Sequence, residues 1–414
     1  MRIAFFAWEA LHAVPVGAAA VYAFRLPAAL ARRGHDVHLF TRLGAGQRFS
    51  DRIEGVGYHR IPVARCDAFL DEIRGMAVPF LHYYRAETAR GGPFDRIHAV
   101  DWLAIPAAFA ALDDPEGVNA RRPPPLAVAF HGTEWGRSGV WPDQGISGEI
   151  ADLERAASAR ADAIAAVTGK VRRELDSLYR PPDWKTDTIR HGIDPAPFDA
   201  GGFDAAEVKA RGGWPVHAPI ALYAGRLERA RGAELLVDAW LAYRQAAARR
   251  PASPSDAAPF RLVMAGDGRD AGEIAARAAA AGPGESAFPG PLSGGALADW
   301  YRAADVVLSP SDAFASGALS AWAARKPVIA GTASGSAEVI LDGVTGWLAP
   351  PNPEAWAEAL RRAGENPDRL RWMGANGREA LTAAFTWDAV AERTLALYDR
   401  DRRLADHMRG SRWT

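Results

Sequence analysis

The chain has 414 residues, 49% of them hydrophobic and 24% charged, with a formal net charge of −1. That length is enough for two domains with proper cores, and the balanced charge excludes any broad attraction to nucleic acid or anionic lipid. The single cysteine, Cys66, excludes an internal disulfide framework and fits a reducing cytoplasm. No stretch approaches the length of a membrane span, so membrane contact is at most peripheral.

In chain order, the opening MRIAFFAWEA reads as a first β-strand rather than a secretory signal, because its apolar run is short and Glu9 interrupts it. Strand candidates follow at 2–7, 36–41, 95–100, 126–130, 163–167 and 186–190. Between the first two lies a helix with Tyr22, Leu26 and Leu30 at four-residue spacing, ended by Gly34. The segment VPFLHYYRA (78–86) sets aromatic residues beside a base. It reads as core or acceptor-pocket packing, with peripheral membrane contact as the alternative. The Gly-rich stretch 200–217 reads as the passage between domains. A second series begins at 219–225 and continues at 260–266, 286–290, 304–310, 326–331 and 346–350, with helices between the strands and a solvated loop at 249–259. From Trp387 onward the pattern is helical, with Trp387, Val390, Leu395 and Tyr398 on an apolar face. Strands alternating with helices imply two doubly wound α/β domains in series, and such sheets bind ligands beyond the carboxyl ends of their strands.

Two of those strand ends in the second series carry selective chemistry. GRLERARG (225–232) gathers Arg226, Arg229 and Arg231, whose guanidinium forks suit phosphate oxygens. PSDAFASGALSA (310–321) opens a helix at Ser316 and Gly317, offering first-turn N–H groups and a positive dipole end to an anion. Together they point to a diphosphate; an arginine-rich solvated helix start would explain the first element alone.

These residues resemble the donor domain of retaining glycosyltransferases of the GT-B fold, in glycosyltransferase family 4. The matching pieces are AGRLERARGAELLVDAW (224–240), RLVMAGDG (261–268), FPGPLSGGALADWYRAADVVLSPS (288–311), KPVIAGTASGSAEVILDGVTGWLAPP (326–351) and FTWDAVAERTLALY (385–398). In the first half, VGAAAVYAFRLPAALARRGHDVHLFT (16–41) is similar to the family's glycine loop and helix. FDRIHAVDWLAIPAA (94–108) and FHGTEWGRSG (130–139) look like its glycogen-synthase-like branch, and IRHGID (189–194) resembles its Asn-Gly-Ile-Asp segment. The resemblance implies two Rossmann-like domains facing a cleft: an acceptor-binding domain at 1–200, a donor-binding domain at 201–385, and a helix at 386–414 crossing back to the first. It also implies a cytoplasmic, metal-independent hexosyltransferase without a cofactor, using a UDP-, GDP- or ADP-sugar and a hydroxyl acceptor. A metal site finds no support in His/Cys/Asp spacing.

The resemblance also assigns roles. Arg226 and Arg231 occupy the diphosphate-binding Arg and Lys positions and would neutralise charge as the sugar–phosphate bond breaks. Gly17 lies in the loop that approaches the diphosphate, although its neighbour Ala18 stands where a second glycine is usual. His131 matches the histidine beside the donor sugar, with an idle, hydrogen-bonded histidine as the alternative. Gly266 in AGDG and Leu292 in GPLSGG form the base-reading wall, and Phe314, Ala315, Ser316 and Gly317 the phosphate loop. Asp101 and Trp102 suit acceptor binding, or a helix cap with its neighbour. Glu134 and Arg137 suit acceptor binding, or a plain ion pair. Glu338 reads as a loop-ordering residue. Two departures stand out: Asp312 and Ser320 replace two glutamates eight positions apart, and Ala315 replaces a glycine. Ser320 can offer the ribose one hydroxyl but no carboxylate. An eroded, non-catalytic family member acting as a binding or partner subunit is the alternative these departures keep open.

Overall fold

The structure, a computed structural model, describes residues 1–117, 123–141, 143–249, 258–311 and 314–410. The chain forms two compact units. Unit 1 joins Met1–His191 to the segment from Trp387 onward, and unit 2 is Gly192–Thr386.

Unit 1 contains β1 (Arg2–Ala7), β2 (Asp36–Arg42), β3 (Ser50–Ile53), β4 (Val56–Ile61), β5 (Arg96–Val100), β6 (Leu126–Phe130), β7 (Ala163–Ala166) and β8 (Thr186–Thr188) in the order β3-β4-β2-β1-β5-β6-β7-β8. All neighbours are parallel except β3 and β4. Runs such as RIAFFA and LAVAF are apolar on both faces because helices cover both sides of the sheet. Side-chain alternation splits that core: Ala4 and Phe6 face one layer of helices, Ile3 and Phe5 the other. The helix Ala18–Arg32 buries Tyr22, Leu26 and Leu30 on the second face. The helix Trp387–Gly410 adds Trp387, Val390, Leu397 and Tyr398 to the same layer.

Unit 2 holds β9 (Ile220–Ala224), β10 (Arg261–Ala265), β11 (Ser286–Gly290), β12 (Val306–Ser309), β13 (Val328–Gly331) and β14 (Gly346–Ala349), all parallel, in the order β11-β10-β9-β12-β13-β14.

Two readings of the sequence change, and a third is narrowed to the core. The hairpin β3–β4 went unseen; it turns on Glu54 and Gly55, both at positive φ (46° and 82°), as a two-residue hairpin turn requires. The stretch 200–217 is not a passage between units, because the division falls after His191. That stretch instead carries a short helix, Ala205–Ala210, and buries Val208 and Trp214 in the core of unit 2. Segment 78–86 lies in the helix Ala77–Gly91 with Phe80 and Tyr84 buried, so its aromatic residues serve the core. Most of the expected loop at 249–259 lies outside the described residues. Among the described residues, no helix is long and apolar enough to cross a membrane.

Candidate active site

In unit 2 the strand ends are stitched together by main-chain bonds. Gly225 N–H donates to Ala265 O (2.9 Å), Leu227 N–H to Asp267 O (3.0 Å) and Gly266 N–H to Gly290 O (2.8 Å). Gly266 is required there: its φ is +150°, and a Cβ would lie 2.9 Å from the carbonyl carbon of Gly225 and inside its oxygen. The result is a cavity of about 820 Å³ at the carboxyl ends of the sheet, large enough for a nucleotide. Arg226, Gly266, Leu292, Ser316, Gly317 and Ser320 all line it.

Arg226 leaves 71% of its side chain exposed, and its Nε donates to Glu228 (3.0 Å). The first turn of the helix Ser316–Ala323 borders the cavity, so the positive end of its dipole lies at the wall. Ala315, the residue before that turn, is buried at φ 58°, ψ 20°. This left-handed conformation favours glycine. Arg231, Phe314 and Ala315 do not line the cavity, and Asp312 lies outside the described residues. Arg229 is turned away into ion pairs with Glu234 and Glu273. Sequence reasoning missed Asp267, Arg269 and Tyr301, which complete the wall; the AGDG motif carried the only signal for the first two.

In unit 1 the remaining site residues sit at the carboxyl ends of β1, β5 and β6, which are adjacent in the sheet. Glu9, after β1, accepts from the N–H groups of Val16 (2.9 Å) and Gly17 (2.5 Å) and so serves as the anion at the start of the helix Ala18–Arg32. Gly17, expected in the loop that approaches the diphosphate, thus has its N–H engaged within the unit. Asp101, directly after β5, has φ 62° and ψ 173°, a region that is nearly glycine's alone. Its Oδ1 accepts from Trp102 N–H (2.9 Å). Burial pushes its carboxyl up to about 7, against the pull of Arg137 and that N–H bond, while Glu154 and Glu9 push the same way as burial.

His131, after β6, meets the edge of Tyr22 (ring centroids 4.9 Å) and His191 (5.0 Å). Burial first, then His191, hold it well below its ordinary pKa, so the imidazole is neutral. Around it, His98 Nδ1 and Tyr398 Oη are 2.5 Å apart, and burial lowers His98 to about 3 and His191 to about 4. Glu134 and Arg137 do pair (3.4 Å), but the stronger partner of Arg137 is Glu154, fully buried, at 2.7 Å. Glu154 also accepts from Glu134 N–H (3.1 Å) and Tyr179 Oη (2.7 Å). Arg137 sits 5.8 Å over the Trp102 ring. Nothing local in the sequence marks Glu154, twenty residues from Glu134.

A buried cluster of His38, His59 and Glu87 also has ligand-like spacing. Its carboxylate is paired with Arg2 (2.6 Å) and Arg90 (3.0 Å), and His38 and His59 bond each other at 2.9 Å, which accounts for its polar groups.

Residues 19–197 match the model of Glycosyltransferase Family 4, and residues 218–366 that of Glycosyl transferases group 1. A D-inositol 3-phosphate glycosyltransferase of Catenulispora acidiphila is 31% identical over 91% of this chain and 89% of its own length. Among solved structures, sucrose-phosphate synthase from Thermosynechococcus elongatus gives a TM-score of 0.72 at 23% identity, covering 98% and 99% of the two chains. Anabaena HepE in complex with UDP and glucose gives 0.67 at 16%, covering 96% and 99%. The two doubly wound units have the GT-B fold. The chain belongs to glycosyltransferase family 4 and is a glycosyltransferase.

Proposed function

We propose that the protein moves a hexose from a nucleoside-diphosphate sugar to a hydroxyl acceptor with retention of anomeric configuration, without a bound metal, and in the cytoplasm. The observation that carries the donor half is the cavity of unit 2, where an exposed arginine, a glycine loop and a helix start meet at four strand ends. Arg226, on the cavity wall, and Arg231, off the wall but in the same loop, neutralise the departing diphosphate, Ser316 and Gly317 bring helix N–H groups to it, and Gly266 and Leu292 face the base. The relative with UDP and glucose bound supports a nucleotide donor. In unit 1, Asp101, Trp102, Glu134 and Arg137 form the acceptor side, and neutral His131 faces the sugar. The acceptor oxygen bonds to the anomeric carbon as the bond from that carbon to the diphosphate breaks, and the hydroxyl proton leaves with the diphosphate.

The test is a nucleotide-sugar panel read by thermal shift and then by nucleoside-diphosphate release. Arg226→Ala and Arg231→Ala should each abolish the nucleotide response without lowering the unliganded midpoint, since both residues are exposed. Activity intact in both variants refutes the donor assignment. Ser320 and the strained Ala315 favour a second reading, a binding subunit without catalysis; wild-type protein that no nucleotide stabilises would support it.

A further inference from the structure

Three arginines near the carboxyl ends of unit 1's strands, Arg42, Arg60 and Arg137, are already committed to carboxylates. Arg137 is held by Glu154 (2.7 Å) and Glu134 (3.4 Å), and Asp101 adds a third attraction. Arg42, at the end of β2, pairs with Glu72 (2.9 Å) and donates to Trp8 O (2.7 Å). Arg60 is buried against Asp51 (2.9 Å). Glu154 is decisive because its side chain is 0% exposed and cannot turn outward. A phosphate that took Arg137 would leave that buried carboxylate without its counter-charge, held only by Tyr179 Oη and the Glu134 N–H, and breaking a buried pair in this way is strongly unfavourable. It would also add negative charge beside Asp101 and Glu134. An uncharged hydroxyl needs no such exchange. It can bond to the carboxylate oxygens of Asp101 and Glu134, each less than a tenth exposed, without displacing a charge.

We propose that this enzyme takes an uncharged, polyhydroxylated acceptor and rejects the phosphorylated counterpart, unlike the relative named for D-inositol 3-phosphate. The inference rests on reading unit 1 as the acceptor unit. Arg65, exposed and near enough to Arg42 to repel its charge, is a cation at that edge open to a phosphate.

The experiment uses the full chain and the nucleotide sugar that stabilises it most. It compares kcat/KM within matched pairs: myo-inositol and D-inositol 3-phosphate, fructose and fructose 6-phosphate, glucose and glucose 6-phosphate. Diphosphate release above the hydrolysis background and product mass are the readouts. The uncharged member should be favoured at least about tenfold, the effect of roughly one lost charge-assisted bond. Glu134→Gln, which releases Arg137 from one carboxylate, should narrow that ratio, whereas a purely structural role would lower both members alike. Preference for the phosphorylated member overturns the proposal, and its loss in Arg65→Ala would identify the cation responsible. Stimulation by no uncharged member overturns it equally. Failure of the donor reading is seen separately, as absence of nucleotide stabilisation in the wild type before any acceptor is added.

Discussion

Replacing Gly266 by alanine probes whether the cavity of unit 2 depends on two main-chain segments in direct contact. At φ +150° an alanine is outside the conformations open to L-residues, at a cost of about 1–3 kcal/mol. Its Cβ would also overlap the Gly225 carbonyl, and no rotamer can relieve a clash with backbone, so an overpacking term of about 1–3 kcal/mol adds to the first. For a unit of this size each kcal/mol moves the melting midpoint by roughly 2–4 °C, so Gly266→Ala should lower it by about 5–20 °C. The same shift parts β9 from β10 and removes the nucleotide response, which in the wild type at a hundredfold excess over Kd is worth about 2.7 kcal/mol. The control is Gly272→Ala: that residue lies in the helix Ala271–Ala278 with nothing within 4 Å of a new Cβ, so it should gain up to about 1 kcal/mol. Differential scanning fluorimetry of both variants, with and without nucleoside diphosphate, decides the matter. A Gly266→Ala protein with the wild-type midpoint and full nucleotide shift would refute the reasoning.

Acid should unfold unit 1 first. His59 and His98, lowered to about 3, and His191, lowered to about 4, stay neutral in the fold, as does His131, but protonate once unfolded. Each therefore removes about 1.4 kcal/mol per pH unit as pH falls from about 6.5 toward 4. Asp101, raised to about 7, takes up its proton in the fold and opposes this by one such increment, leaving a net loss of roughly 4 kcal/mol per unit; urea midpoints flat between pH 7 and 5.5 would contradict it. Ala315→Gly should change stability by no more than about 1 kcal/mol, because relief of left-handed strain is offset by a lost buried methyl and a freer unfolded chain. Ala315→Val should cost about 2 kcal/mol or more in the same melt. Ser320→Glu restores a carboxylate to the cavity wall and should tighten nucleotide binding about fivefold by calorimetry; abolished binding would mean the pocket is built around the serine. Trp387→Ala, in the core of unit 1, should cost about 3–5 kcal/mol.

What the sequence displayed well was continuous apolar strand and amphipathic helix. RIAFFA, LAVAF and SAFPG form strands over the expected residues, and Tyr22, Leu26 and Leu30 are buried as their spacing required. VGYHRI was missed because His59 and Arg60 read as polar. They are buried because His38 and Asp51, remote in sequence, satisfy them. The site shows the same limit. Motifs placed Arg226, Ser316 and Ser320 on one cavity, since Arg226 follows β9 and the two serines open the helix after β12. The Glu9 bond to Gly17, the Glu154 bond to Arg137 and the positive-φ backbone of Asp101 depend on how loops and helices pack, which none of the motifs encodes. The replacement of a glycine by Ala315 was legible; its conformation was not.

The return of the last helix to unit 1 has a consequence for synthesis. Unit 2 is one uninterrupted stretch and can close as soon as it leaves the ribosome. Unit 1, though begun first, lacks the side chains that pack on Tyr22 and His98 until Trp387 and Tyr398 have been made. The amino-terminal half therefore waits, with an unfilled apolar layer, for the carboxyl-terminal end. A nascent chain stopped short of Tyr398 leaves that layer open, so truncation after unit 2 is felt in the half that was translated earliest.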